Sequence, residues 1–237
     1  MNILKKYKAP QLIIAFVLFW TPVIVFLRIA GEIVEKEHIG IDTYILSWIH
    51  AHANPVLDQV FFAVTMLGNI EVILPVSLLI LAFFLFKKQR RNALILFFGV
   101  GGAAAANLIL KLSFQRDRPT FWQSMITETG YSFPSGHAMV TSALVLCLIV
   151  ILWQTKWRIA SIVIGSIVIV LVGISRLYLG VHYPTDVIAG WSVSAIWVAI
   201  IAVIVKFASY EFHKRDTPQA NSNVKATTPN SRSSSSE

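Results

Sequence analysis

The sequence predicts an all-α fold: a polytopic membrane helix bundle of about six transmembrane spans, with one amphipathic helix lying at the interface. Three observations carry this prediction. Of the 237 residues, 56% are hydrophobic and the mean hydropathy is +0.68, well above the composition of soluble domains, which are about 45–50% apolar. The apolar residues fall in runs near the roughly 20 residues needed to cross a hydrocarbon core of about 30 Å. Short clusters of Lys and Arg separate alternate runs, as the positive-inside rule requires.

The elements follow in order. Residues 11–30 form the first span, preceded by Lys5, Lys6 and Lys8; the run is longer than the 7–15 apolar residues of a typical signal peptide, so it is expected to be retained. Residues 31–38 are polar and mostly acidic, and Ile41, Tyr44, Ile45, Trp48 and Ile49 then recur at helical spacing on one face, which predicts the interfacial helix. His50 and His52 lie beside it without the further ligands a metal site needs. A second span covers residues 57–86, long enough to be tilted or broken, with Gly68 and Pro75 as candidate kinks. The third, residues 94–110, carries Gly99, Gly101, Gly102 and Ala103 to Ala106, a small-residue surface for close helix packing. Residues 138–153, 159–174 and 187–207 complete the six. The membrane domain thus occupies residues 1–212, and a Ser/Thr/Asn-rich tail, 213–237, is expected to be disordered.

With six spans, the clusters at Lys5–Lys8, Lys87–Arg91, Lys156–Arg158 and Lys206–Arg215 share one side, which the positive-inside rule makes cytoplasmic, together with both termini. That distribution also accounts for the net charge of +8 without a nucleic-acid partner, whose footprint would be a basic face or arm. The single cysteine, Cys147, sits in an apolar run and supports neither a disulfide nor a thiolate metal site.

Three segments meet at the opposite, extracytoplasmic face. The first has Lys111, Arg116, Arg118 and Pro119; the second is Tyr131 to His137, containing Pro134-Ser135-Gly136-His137; the third runs from Ser175-Arg176 to His182 and Asp186. Ionisable groups at membrane depth cost roughly 2.5–3.5 kcal/mol each on insertion scales, so such a cluster marks a functional site. Lys111, Arg118 and Arg176 form an anion site, and arginine's planar fork suits phosphate oxygens. Ser135 and Gly136 precede a helix start, where free N–H groups add anion contacts. Asp186, four residues after His182, can fix the imidazole tautomer and raise its basicity, which makes His182 the nucleophile and leaves His137 to protonate the leaving oxygen.

At these residues the chain resembles the type 2 phosphatidic acid phosphatase (PAP2) superfamily. Lys111, six residues and Arg118-Pro119; Pro134-Ser135-Gly136-His137; and Ser175-Arg176, five residues, His182, three residues and Asp186 match its three-part signature. The likeness is to the bacterial membrane branch that includes phosphatidylglycerophosphate phosphatase B and undecaprenyl pyrophosphate phosphatases. It implies a plasma-membrane lipid phosphatase without metal or other cofactor. By the resemblance Lys111, Arg118, Arg176, Ser135 and Gly136 bind phosphate, His182 attacks phosphorus, His137 is the general acid and Asp186 supports His182. No role is carried onto Arg116 or Asp117, which lie in the spacer. Asp117, Glu128 and Asp186 are too few for a two-metal site. The expected partner is a phosphorylated lipid within the membrane, phosphatidylglycerophosphate first and undecaprenyl diphosphate second, with no obligate protein partner. An anion channel or transporter is the reading from another class, but it would not need a His–Asp pair facing a second histidine.

Overall fold

The computed structural model describes residues 9–35, 40–122, 124 and 126–215. Eight helices occupy these residues, with no strand among them: α1 (Ala9–Val34), α2 (Gly40–Ala51), α3 (Pro55–Met66), α4 (Ile70–Phe86), α5 (Arg90–Phe114), α6 (Gly136–Leu152), α7 (Arg158–Tyr178) and α8 (Pro184–Arg215). Phe16–Val34, Pro55–Phe86, Arg90–Phe114, Arg158–Tyr178 and Pro184–Ala208 are long and apolar enough to cross a membrane, and Gly136–Leu152 is apolar but shorter. At 17 residues a helix still reaches about 25 Å. The predicted bundle of about six spans is therefore present. Of the predicted disordered tail, residues 213–215 continue α8 and the remainder lies outside the described residues, as do Lys5, Lys6 and Lys8.

The second span is interrupted at Leu67–Asn69, between α3 and α4. Gly68 makes the interruption possible, because a Cβ there would lie 2.8 Å from Val172 Cγ1 and 3.0 Å from His137 Cδ2. Pro75 lies within α4, which runs through it. The interfacial helix α2 turns Ile41, Tyr44 and Trp48 outward and buries Asp42 and Leu46 on the opposite face. α2 thus turns large apolar side chains outward and is tied to the bundle by a buried charge.

α6 is the centre of the bundle, packed on α5, α7 and α8, while α1 lies against α8. The small-residue surface of α5 serves in part as predicted: Gly99 faces Cys147 Sγ, Gly102 faces the Trp197 ring and Ala103 is fully buried, whereas Gly101, Ala104 and Ala105 are exposed. Ile95, Leu96, Met139, Ala143, Cys147 and Val198 fill the shared core, where close van der Waals packing, rather than transfer out of water, holds helices together in lipid. α8 presents Asp186, Gly190 and Ser194 along one face, at i, i+4 and i+8. Ser194 Oγ donates to Met139 O at 2.6 Å, and the absent Gly190 side chain admits Ser135 O, which a Cβ would meet at 3.0 Å. That face therefore carries the carboxylate against the start of α6.

Candidate active site

The site lies where α5 and α7 end and α6 and α8 begin. α7 closes in a Schellman turn: Gly180, at φ +71°, donates to Leu177 O at 3.0 Å and Val181 N to Arg176 O at 3.3 Å. The reversal turns His182 into the bundle, where it is 1% exposed. Pro184 then opens α8, and Asp186 reaches back to accept from Tyr183 N at 2.9 Å, the half of a capping box that a residue in the first turn supplies.

Asp186 Oδ2 stands 3.3 Å from His182 Nδ1 and also accepts from Ser132 Oγ. On its far side, His182 Nε2 lies 3.3 Å from Arg118 Nη1. A guanidinium has only donors, so the neighbours assign the ring proton to Nδ1, facing the carboxylate, and the lone pair to Nε2. Burial pushes the His182 imidazole down to about 4, against the pull of Asp186 in the other direction. The ring is therefore neutral at neutral pH. Its C2–H resonance is expected to titrate near pH 4 in labelled, detergent-solubilised protein, and a midpoint near 6.5 would contradict the buried geometry. Since the unfolded ring takes up its proton near 6.5 and the folded ring only near 4, this group makes stability fall as pH drops through that window.

The cations converge on the same place. Arg118 is held by Gly130 O at 3.0 Å and Val181 O at 2.9 Å. Arg176, fully buried, donates from Nη1 to Thr65 Oγ1 at 2.7 Å and pairs with Glu128 through Nη2. Its Nε has no hydrogen-bond partner. Lys111 Nζ donates to Tyr131 O. Ser135 is buried and caps α6, 3.5 Å from Ala138 N, while its own N–H donates to Asp186 O at 3.1 Å. His137 Nε2 is 2.6 Å from Asn69 Oδ1. Gly136 and His137 open onto a cleft of about 390 Å³, which the interruption between α3 and α4 creates and which Gly68, Asn69, Glu71 and Glu128 also line. All eight predicted residues thus lie around one end of the bundle, and an array of this kind can hold a phosphoryl group beside a neutral imidazole. Among the described residues no three His, Cys, Asp or Glu side chains group as a metal site.

Five participants carry no role in the sequence reading. Arg116 donates to Asp186 Oδ1 at 2.6 Å and to Asp42 Oδ2 at 2.8 Å, with its guanidinium 3.9 Å over the Tyr183 ring. Asp42 in turn accepts from Thr185 N at 3.0 Å and Thr185 Oγ1 at 2.6 Å, which is the charge that ties α2 down. Ser132 and Asn69 hold the two histidines. Glu128 bridges Arg176 and Arg118, the latter at 3.3 Å. Burial opposes its ionisation, but the charges of Arg176 and Arg118 outweigh that and hold the carboxyl below its usual range. A signal for Asp42 existed in the sequence, as an acid placed on the inner face of an otherwise apolar helix. His50 and His52 are engaged elsewhere, by stacking on Trp122 and by a 2.7 Å contact to Trp48 O.

Known proteins resemble this arrangement. Residues 92–210, half of the chain, match the profile of the PAP2 superfamily. Phosphatidylglycerophosphatase B of Bacillus subtilis (strain 168) is 33% identical over 147 residues, covering 60% of this chain and 72% of its own length. Undecaprenyl-diphosphatase of Sulfolobus acidocaldarius is 28% identical over 187 residues, covering 77% of this chain and 85% of its own. Among solved structures, the crystal structure of a transmembrane PAP2 type phosphatidylglycerolphosphate phosphatase from Bacillus subtilis superposes with a TM-score of 0.68 at 28% identity, over 80% of this chain and 96% of that one. With the apolar bundle and the histidine–carboxylate–arginine site already in view, these likenesses mean that the chain belongs to the PAP2 superfamily, as a multi-pass membrane phosphatase.

Proposed function

We propose that the protein hydrolyses a phosphomonoester or diphosphate on a membrane lipid through a phosphohistidine at His182. The observation that carries the reading is the buried imidazole held with Nδ1 on Asp186 and Nε2 beside Arg118. Nε2 donates its lone pair to phosphorus as the bond from phosphorus to the lipid oxygen breaks, and His137 protonates that oxygen. Water then attacks the phosphohistidine, His137 takes its proton, and inorganic phosphate leaves. Lys111, Arg118 and Arg176 hold the phosphoryl oxygens, Ser135 and Gly136 shape the loop beneath them, and charge growing in the transition state is stabilised by these fixed donors. No step requires a metal or cofactor.

The preferred substrate is phosphatidylglycerophosphate, supported by the likeness to the B. subtilis phosphatidylglycerophosphatase B; undecaprenyl diphosphate is second, from the S. acidocaldarius relative. Lys87, Lys88, Arg90, Arg91, Lys156 and Arg158 lie at the ends of α5, α6 and α7 opposite to Lys111, His137 and Arg176, which supports cytoplasmic termini and an extracytoplasmic site in the plasma membrane. The test is phosphate release by detergent-purified protein from phosphatidylglycerophosphate, undecaprenyl diphosphate and phosphatidic acid side by side, with and without chelator. The expected order of kcat/KM follows that sequence, unaffected by chelator. Higher turnover on undecaprenyl diphosphate would move the substrate, and no release from any would overturn the reading.

A further inference from the structure

We propose that Glu128 occupies the phosphate seat in the resting enzyme and yields it to a headgroup with more than one negative charge, which makes it a threshold that a lipid must exceed to occupy the site. The proposal rests on the phosphatase reading above. Its carboxylate oxygens are divided between Arg176 and Arg118, and Arg118 Nη1 is in turn 3.3 Å from His182 Nε2. An anion therefore already sits on the two guanidinia beside the nucleophile. A carboxylate has two acceptor atoms and a terminal phosphoryl group three, and the buried Arg176 Nε is left without an acceptor. The seat is thus filled but not saturated, which a phosphoryl group would correct.

Glu128 can leave. Its side chain is 24% exposed, it belongs to the connection between α5 and α6, and it lines the cleft at His137. A displaced carboxylate would enter water rather than the core. The exchange sets a threshold that charge must overcome. A phosphodiester headgroup carries one negative charge, so it would replace Glu128 like for like and gain little. A phosphomonoester carries about −1.5 to −2 at neutral pH, so it gains on both arginines. The site faces a membrane rich in phosphodiester lipids, and Glu128 would keep them from occupying it.

The experiment compares the parent with Glu128→Gln and Glu128→Asp in detergent. KM is measured for short-chain phosphatidic acid, and the inhibition constant for short-chain phosphatidylglycerol, a monoanionic phosphodiester. Removing the charge is expected to lower KM and to tighten inhibition by the phosphodiester about three- to tenfold, with the shorter Asp in between. An unchanged inhibition constant, a raised KM, or failure of both variants to fold would make Glu128 a structural counter-ion and overturn the proposal. His182→Ala run alongside separates the two ideas: its loss of turnover with unaltered inhibition in Glu128→Gln sinks only this inference, whereas full turnover in His182→Ala sinks the reading beneath it.

Discussion

Substituting His182 by alanine is expected to lower phosphate release roughly ten-thousand-fold, because it removes the atom proposed to bond phosphorus. No other group can take its place from where it stands. Arg118 and Arg176 are donors only, Ser132 Oγ faces His182 Nδ1 and Asp186 rather than the Nε2 side, and His137 is bonded to Asn69 across the cleft. A general-base role for His182 would also fail in this variant, so the loss alone does not identify a nucleophile. The covalent species does. Parent enzyme mixed briefly with 32P-labelled lipid and quenched in alkali is expected to carry label that is stable to base and labile to acid, as a phosphoramidate is, and His182→Ala to carry none. Because the ring is 1% exposed, its loss leaves a small cavity, and the variant must elute as a monodisperse species for the comparison to hold. Turnover near the parent rate, or label retained in the variant, would place the covalent chemistry elsewhere.

Much of this site was legible because topology alone delivers it. Once residues 94–110, 138–153, 159–174 and 187–207 are recognised as spans, the three polar segments between and beside them share a membrane face. The interruption at Leu67–Asn69 was harder to read, since both flanking halves are apolar and hydropathy does not register three residues that leave the helix. Gly68 offered a position for it, but only the approach of Val172 and His137 gives the reason. Arg116 has no legible role in the sequence because its partners are remote: Asp42 is 74 residues before it and Asp186 70 after, distances at which one sequence carries no pairing information. In the sequence Glu128 is one of three carboxylates, with Asp117 and Asp186, too few for two-metal chemistry. Its place on two arginines depends on a connection whose described residues form no helix or strand, and whose path no periodicity encodes.

The network around Asp186 leads to the second large effect. Asp186→Asn is expected to lower kcat by about 10³- to 10⁴-fold while moving KM little, because the cations that hold the phosphate remain. The carboxylate serves donors on both oxygens: Tyr183 N, Ser132 Oγ and His182 Nδ1 at Oδ2, and Arg116 Nη1 at Oδ1. An amide has one oxygen and one NH₂ group. If its oxygen faces His182, the NH₂ is pressed against the Arg116 guanidinium, donor on donor. If it turns over, the NH₂ faces Nδ1, which must then accept, and the ring proton moves to Nε2, where it masks the lone pair needed for attack. The turned orientation meets donors of its own, Tyr183 N–H at 2.9 Å and, once Nε2 carries the proton, Arg118 Nη1 at 3.3 Å, but the contact to Arg116 at 2.6 Å is the closest of these and makes the first the more strained. The ring nitrogens report the outcome directly. ¹⁵N shifts of His182 are expected to show Nδ1–H in the parent and Nε2–H in the variant, a readout that loss of packing would not produce. A parent-like tautomer with kcat intact would mean that Arg116 and Asp42, rather than the histidine, are what Asp186 is there to hold.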